Sequence, residues 1–145
     1  MNTRWNQVVG VRLCAWLICV GSLAGCMHSG QSSSSTMHPS TQVPSATGKV
    51  SADRKEGNMK LSVKVEHMAP PEKISQGATT YVVWAEPAAG GPAQNLGALK
   101  IGDDRSAKLD TTTPARDMKI IVTPENSPDV THPSADPVLW TTINQ

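Results

Sequence analysis

The chain has 145 residues, a formal net charge of +1 and 38% hydrophobic residues, which suits one domain with a modest core. Lys and Arg number 13 against 12 Asp and Glu, so charge offers no argument for binding nucleic acid or an anionic membrane surface. All three cysteines fall within the first 26 residues, which excludes a disulfide framework for the rest, and with Phe absent and aromatics scarce the core must be built mostly from Val, Ile, Leu, Met and Ala.

The first element is a leader. "MNTRWNQVVGVRLCAWLICVGSLAGC" has a basic start (Arg4, Arg12), an apolar run from Leu13 to Val20, and small residues before Cys26. This is the tripartite pattern of an export signal over residues 1–25, and the run between Arg12 and Ser22 is shorter than the roughly 20 apolar residues of a membrane span. Leu23, Ala24, Gly25 and Cys26 resemble the lipobox of bacterial lipoproteins. Small Ala24 and Gly25 let an extended backbone enter a peptidase site, and the Cys26 thiolate is the nucleophile that accepts a diacylglyceryl group. The resemblance implies cleavage before Cys26 and a membrane anchor of two or three acyl chains, each worth about 0.8 kcal/mol per buried methylene. Met27 rather than Asp follows Cys26, which in enterobacterial lipoproteins favours the outer membrane. Cys14 and Cys19 read as apolar filler.

Residues 26–58 read as the lipidated N-terminus and a flexible tether. Eight Ser, three Thr, three Gly and two Pro stand among residues 27–58, and no period organises the few apolar side chains. A flexible chain of that length would hold a domain about 30 Å from the bilayer. His28 and His38, ten residues apart, read as solvated linker histidines.

The folded domain is expected over residues 59–145. "KLSVKVE" alternates Leu61, Val63 and Val65 against Ser62 and Lys64, a half-buried strand. "MAPPEKISQGA" breaks the pattern, and "TTYVVWA", apolar on both faces, reads as a central strand with Trp84 packed between sheets. "NLGALKI" and "SAKLDT" suggest a hairpin turning at Gly102-Asp103. "MKIIVT" places Met118, Ile120 and Val122 on one face, and after the loop "PENSPDVTHPSADP" the strand "VLWTTI" ends the chain with Trp140 expected in the core. No stretch carries a long helical stripe. The prediction is an all-β fold, a small antiparallel β-sandwich or open barrel of about six or seven strands.

"TTYVVWAEPAAGGPAQNLGALKI", "KIIVTPE" and "HPSADPVLW" resemble the extracytoplasmic C-terminal β-domain of certain bacterial anti-sigma factors. Tyr81, Trp84, Leu96, Gly97, Val122, Thr123, Glu125, Pro137, Val138 and Leu139 are the matching positions. The resemblance implies a β-domain with a sensing or binding role. Since no sigma-binding module is seen before the domain, it does not imply sigma-factor control by this chain.

Candidate chemistry is sparse. No nucleophile, redox, phosphate or zinc motif occurs. Asp129, His132 and Asp136 could offer a cation three ligands, but their spacing matches no metal motif and the stretch reads as an ordinary loop. His67 stands alone, and Asp103-Asp104 reads as a turn rather than a calcium pair. The expectation is a non-catalytic binding, sensing or structural module at the bacterial envelope, without cofactor or metal, on the periplasmic face of a membrane or at the cell surface. Its partners would be membrane lipid through Cys26 and a protein of the envelope, not nucleic acid. The alternative is a small-ligand or metal-binding periplasmic protein and, behind it, an enzyme.

Overall fold

A computed structural model of the chain describes residues 32–144. The leader, Leu23, Ala24, Gly25, Cys26 and His28 lie outside the described residues. The described chain is almost wholly β: β1 (Ser32–Pro39), β2 (Thr47–Lys55), β3 (Asn58–Glu66), β4 (Thr80–Pro87), β5 (Gln94–Leu99), β6 (Ala107–Thr113), β7 (Met118–Glu125) and β8 (Leu139–Ile143), with a single-turn helix α1 (Pro71–Ile74). The strands form an antiparallel sheet in the order β5-β4-β7-β8-β1-β2-β3-β6.

The pivot is β1. From Ser32 to Met37 it pairs with β2, while His38 and Pro39 pair with Trp140 and Leu139 of β8, so one strand joins two curved halves. At the far edges β5 and β6 meet through side chains, the Leu109 methyl facing Gly97 and Thr113 Oγ1 donating to Gln94 Oε1 at 3.2 Å. The sheet therefore curls almost into a barrel around its core. The expected hairpin between β5 and β6 does not form: β5 pairs with β4 and β6 with β3. Residues 100–106 instead carry the chain across the open seam, with Gly102 N–H bonded to Ser106 O and the turn closed by Arg105 N–H to Gly102 O.

Eight strands replace the six or seven expected because residues 32–55, read as tether, form β1 and β2. The domain therefore includes residues 32–55 and does not begin at Met59. Their own patterning is weak, since the buried face of β2 is only Gly48, Val50 and Ala52, and β1 buries only Met37. Partner strands supply what propensity does not. All nine residues of β2 pair with β3 through the turn at Glu56 and Gly57, whose φ values of 49° and 88° are those of a type I′ hairpin turn. Gly48 is required by close approach, because a Cβ there would stand 2.8 Å from Met37 Sδ.

The main core fills the inside of the curl. Leu61, Val63 and Val65 point inward from β3, as their alternation predicts, and meet Tyr81 and Val83 of β4 and Met118, Ile120 and Val122 of β7. Full burial of an aliphatic side chain of this size is worth about 1.5 to 3 kcal/mol. Tyr81 Oη donates to Ala69 O at 2.8 Å, which ties the β3–β4 connection to the core, and burial pushes the phenol up to about 12. Among the described residues no helix is long and apolar enough to cross a membrane.

Antiparallel order sorts the connections into two ends. The start of β1, the end of β8 and the short connections 56–57, 88–93 and 114–117 lie at one end, called the entry end. The long connections 40–46, 67–79, 100–106 and 126–138 gather at the other, the loop end.

Candidate functional site

β4 and β7 are apolar on both faces, so each has an outer face that also needs cover. Val82, Trp84 and Ile121 form a second buried cluster on that outer face, packed against Ala93, Ala98 and Val130. This corrects the expected place of Trp84. It lies outside the curl rather than between the two halves, yet it is 0% exposed.

Its cover is the connection 126–138, which crosses the sheet as a strap. Asn95 Nδ2 donates to the carbonyls of Pro128 (3.0 Å) and Val130 (2.8 Å), while its Oδ1 accepts from Gly97 N–H at 2.9 Å. Gly97 sits in a bulge of β5, where the pairing with β4 shifts between Val83 and Trp84, and its φ of 133° suits glycine. Thr79 fastens the start of the strap, its N–H donating to Glu125 O (2.8 Å) and its Oγ1 to Asn126 O (2.9 Å).

Beneath the strap runs a polar chain. Trp84 Nε1–H donates to Thr123 Oγ1 at 2.8 Å, and Thr123 Oγ1 donates to Glu125 Oε1 at 2.6 Å. The strap answers with Ser134, whose N–H donates to Glu125 Oε1 at 3.0 Å and whose hydroxyl donates to Oε2. Glu125 is 1% exposed and has no cationic partner among the described residues, so these three donors replace its lost water. The arrangement is a clamp. No histidine joins the Ser134–Glu125 contact: His132 makes its contact with Thr131 Oγ1, at 3.2 Å and exposed. Trp84, Thr123 and Glu125 therefore act as one unit, while Tyr81 serves the opposite face of β4.

Beside the clamp the loop end is concave. A groove of about 510 Å³ is lined by Gln42, Ile74, Ser75, Pro124 and residues 133–136, and a second of about 330 Å³ lies between Pro71, Thr79, Leu99, Ile101 and Pro128. All four long connections contribute to them. Asp136 reaches the first groove, whereas Asp129 and His132 lie exposed elsewhere on the strap. Among the described residues no group of three or more His, Cys, Asp or Glu is placed to hold a metal ion. Asp103 and Asp104 sit in the turn of connection 100–106, and Asp104 accepts from Ser106 N–H (3.2 Å) and Oγ (2.5 Å), bonds that hold its carboxyl below the usual range.

Trp140 is not core. At 40% exposure it is the one exposed large hydrophobic side chain among the described residues, stacked at 4.5 Å on His38 of β1 with Lys119 Nζ 6.0 Å from its ring. His38, read as a linker residue, thus belongs to the sheet. No family model matches the chain, and none of the curated proteins is significantly similar to it.

Proposed function

We propose that the protein is a bacterial lipoprotein, anchored through acylated Cys26 and presenting a non-catalytic β-domain for binding, sensing or a structural role at the envelope. The observation that carries this reading is the position of Leu23-Ala24-Gly25-Cys26, at the end of a short apolar run with a basic start. The rest of the chain agrees with export: no cysteine follows Cys26, so nothing in the domain depends on redox state.

The non-catalytic part of the reading rests on the clamp. Both oxygens of Glu125 are engaged by Thr123 and Ser134, so the carboxyl holds the strap and the indole in place rather than serving as a base. The strap, tied down through Asn95, Thr79 and Glu125, and the grooves formed by all four long connections support the loop end as the recognition face. The anchor would place the domain on the periplasmic face of a membrane or at the cell surface, and Met27 rather than Asp after Cys26 favours the outer membrane over the inner. Cys26→Ser is the test of anchoring: the variant should incorporate no palmitate and accumulate as a larger precursor. Normal processing of the variant would leave an ordinary signal peptide in place of the lipobox.

A further inference from the structure

From the topology we infer that the domain stands on the bilayer with its entry end against the headgroups and its loop end directed away. The inference rests on anchoring through Cys26, and three independent observations support it.

The first is reach. β1 begins at Ser32, so residues 27–31 alone separate the domain from Cys26, and six Cα-to-Cα steps span at most about 20 Å in any conformation. The eight residues of β1 run about 25 Å from the entry end to the loop end, before the long connections add to that height. An inverted domain would hold its entry point at the limit of that reach. With the tilt of about 35 to 45° that strands take in a closing sheet, β1 alone still rises about 19 Å and the long connections add to it. Inversion therefore strains the chain to its full extension, and a tilt toward the side is the main competitor of the upright pose.

The second is charge. With each connection taken together with two strand residues on either side, the entry end carries four Lys and Arg against three Asp and Glu. By the same rule the loop end carries four against seven, one of the seven being the buried Glu125. An anionic headgroup layer repels the acidic end and tolerates the other, which opposes the sideways tilt within about a Debye length of the surface. The near-neutral charge of the whole chain conceals this difference, because it sums over both ends and the strands between them.

The third is the shape of the two ends. The entry end closes in short connections, of which 88–93, "AAGGPA", has no charge and no large side chain to obstruct a flat surface. The two grooves described above open at the loop end, while the entry end carries one shallow groove of about 470 Å³ between residues 87–89 and 115–117. It is the short, small-residue connections, rather than the lack of any hollow, that suit this end to a flat surface. The partner of the entry end is thus a lipid surface, and the recognition face is held clear of it.

Mature protein lacks any cysteine but Cys26, whose thiol the lipid occupies, so an introduced cysteine is a unique label site. Lipidated full-length variants Asn58→Cys and Ala89→Cys at the entry end, and Asp103→Cys and Asp129→Cys at the loop end, all exposed positions, should be purified from bacterial membranes. After labelling with a small fluorophore they are reconstituted in phosphatidylethanolamine–phosphatidylglycerol vesicles containing headgroup spin-labelled lipid. The labels at 58 and 89 should be quenched several-fold more strongly than those at 103 and 129. Equal quenching at the two ends, or stronger quenching at the loop end, overturns the orientation while leaving anchoring intact. Absence of palmitate from the purified protein, measured on the same samples, removes the anchor itself and the orientation with it.

Discussion

Trp84→Ala should be among the most damaging single changes available to the domain. The side chain is 0% exposed in the small outer cluster with Val82 and Ile121, and its Nε1–H supplies Thr123 with a 2.8 Å hydrogen bond. Truncating a buried Trp to Ala costs about 3 to 5 kcal/mol, a large share of the roughly 5 to 15 kcal/mol that holds a domain together. Trp84→Phe keeps most of the apolar volume and loses the N–H donor, so it should fall between wild type and Ala. The assay is thermal and urea unfolding of the leaderless chain, residues 27–145, followed by circular dichroism and by fluorescence. That chain contains only Trp84 and Trp140, so Trp140→Phe isolates the buried indole, whose emission should be blue-shifted and shielded from acrylamide. A Trp84→Ala variant melting within a degree or two of wild type, or ready quenching of Trp84 in Trp140→Phe, would refute the strap-covered cluster.

Alkaline unfolding should carry the signature of Tyr81. Its phenol is raised from 10.0 to about 12 by burial, so between these values the native state holds the proton that the unfolded state releases. Stability is then whole below pH 10 and falls by about 2 to 3 kcal/mol as pH rises to 12, a slope that Tyr81→Phe should flatten in denaturant titrations. Ser134→Ala leaves Glu125 Oε2 without its hydroxyl donor and should cost about 1 to 3 kcal/mol, with faster amide exchange confined to the strap. Residues 59–145 expressed alone should fail to melt cooperatively, since they lack β1, β2 and the buried Met37, Val50 and Ala52, whereas residues 27–145 should melt in one transition.

The strands with strong alternation or two apolar faces were legible before any coordinates: β3, β4 and β7 lie where Leu61, Val63, Val65, the "TTYVVWA" run and Met118, Ile120, Val122 put them. β1 and β2 were not, because "SSSSTMHP" and "TGKVSADRK" have the composition of a linker and become strands only by pairing with β3 and β8. A one-turn I′ hairpin at Glu56-Gly57 leaves a faint trace in sequence, since Glu is not a residue that position favours. The clamp was half visible. Tyr-x-x-Trp and Val-Thr-x-Glu marked its residues, but strand alternation alone puts Trp84 opposite Tyr81, on a face that needs a cover of its own. The long connection 126–138 is the cover, and Ser134 gave no sign of its bond to Glu125 because eight residues of irregular chain intervene. Trp140 was misplaced for the reverse reason: β8 alternates Leu139, Thr141 and Ile143 inward, which leaves the indole at the surface.

The central claim is that this β-domain is held at a membrane by lipid on Cys26 and starts almost at once after it. The most direct test is mass spectrometry of the N-terminal peptide of the protein isolated from bacterial membranes. The account predicts a first residue of Cys26 carrying a diacylglyceryl thioether, followed by the unmodified sequence through Ser32. A mature chain starting at any other residue, or a Cys26 with a free thiol, would contradict it.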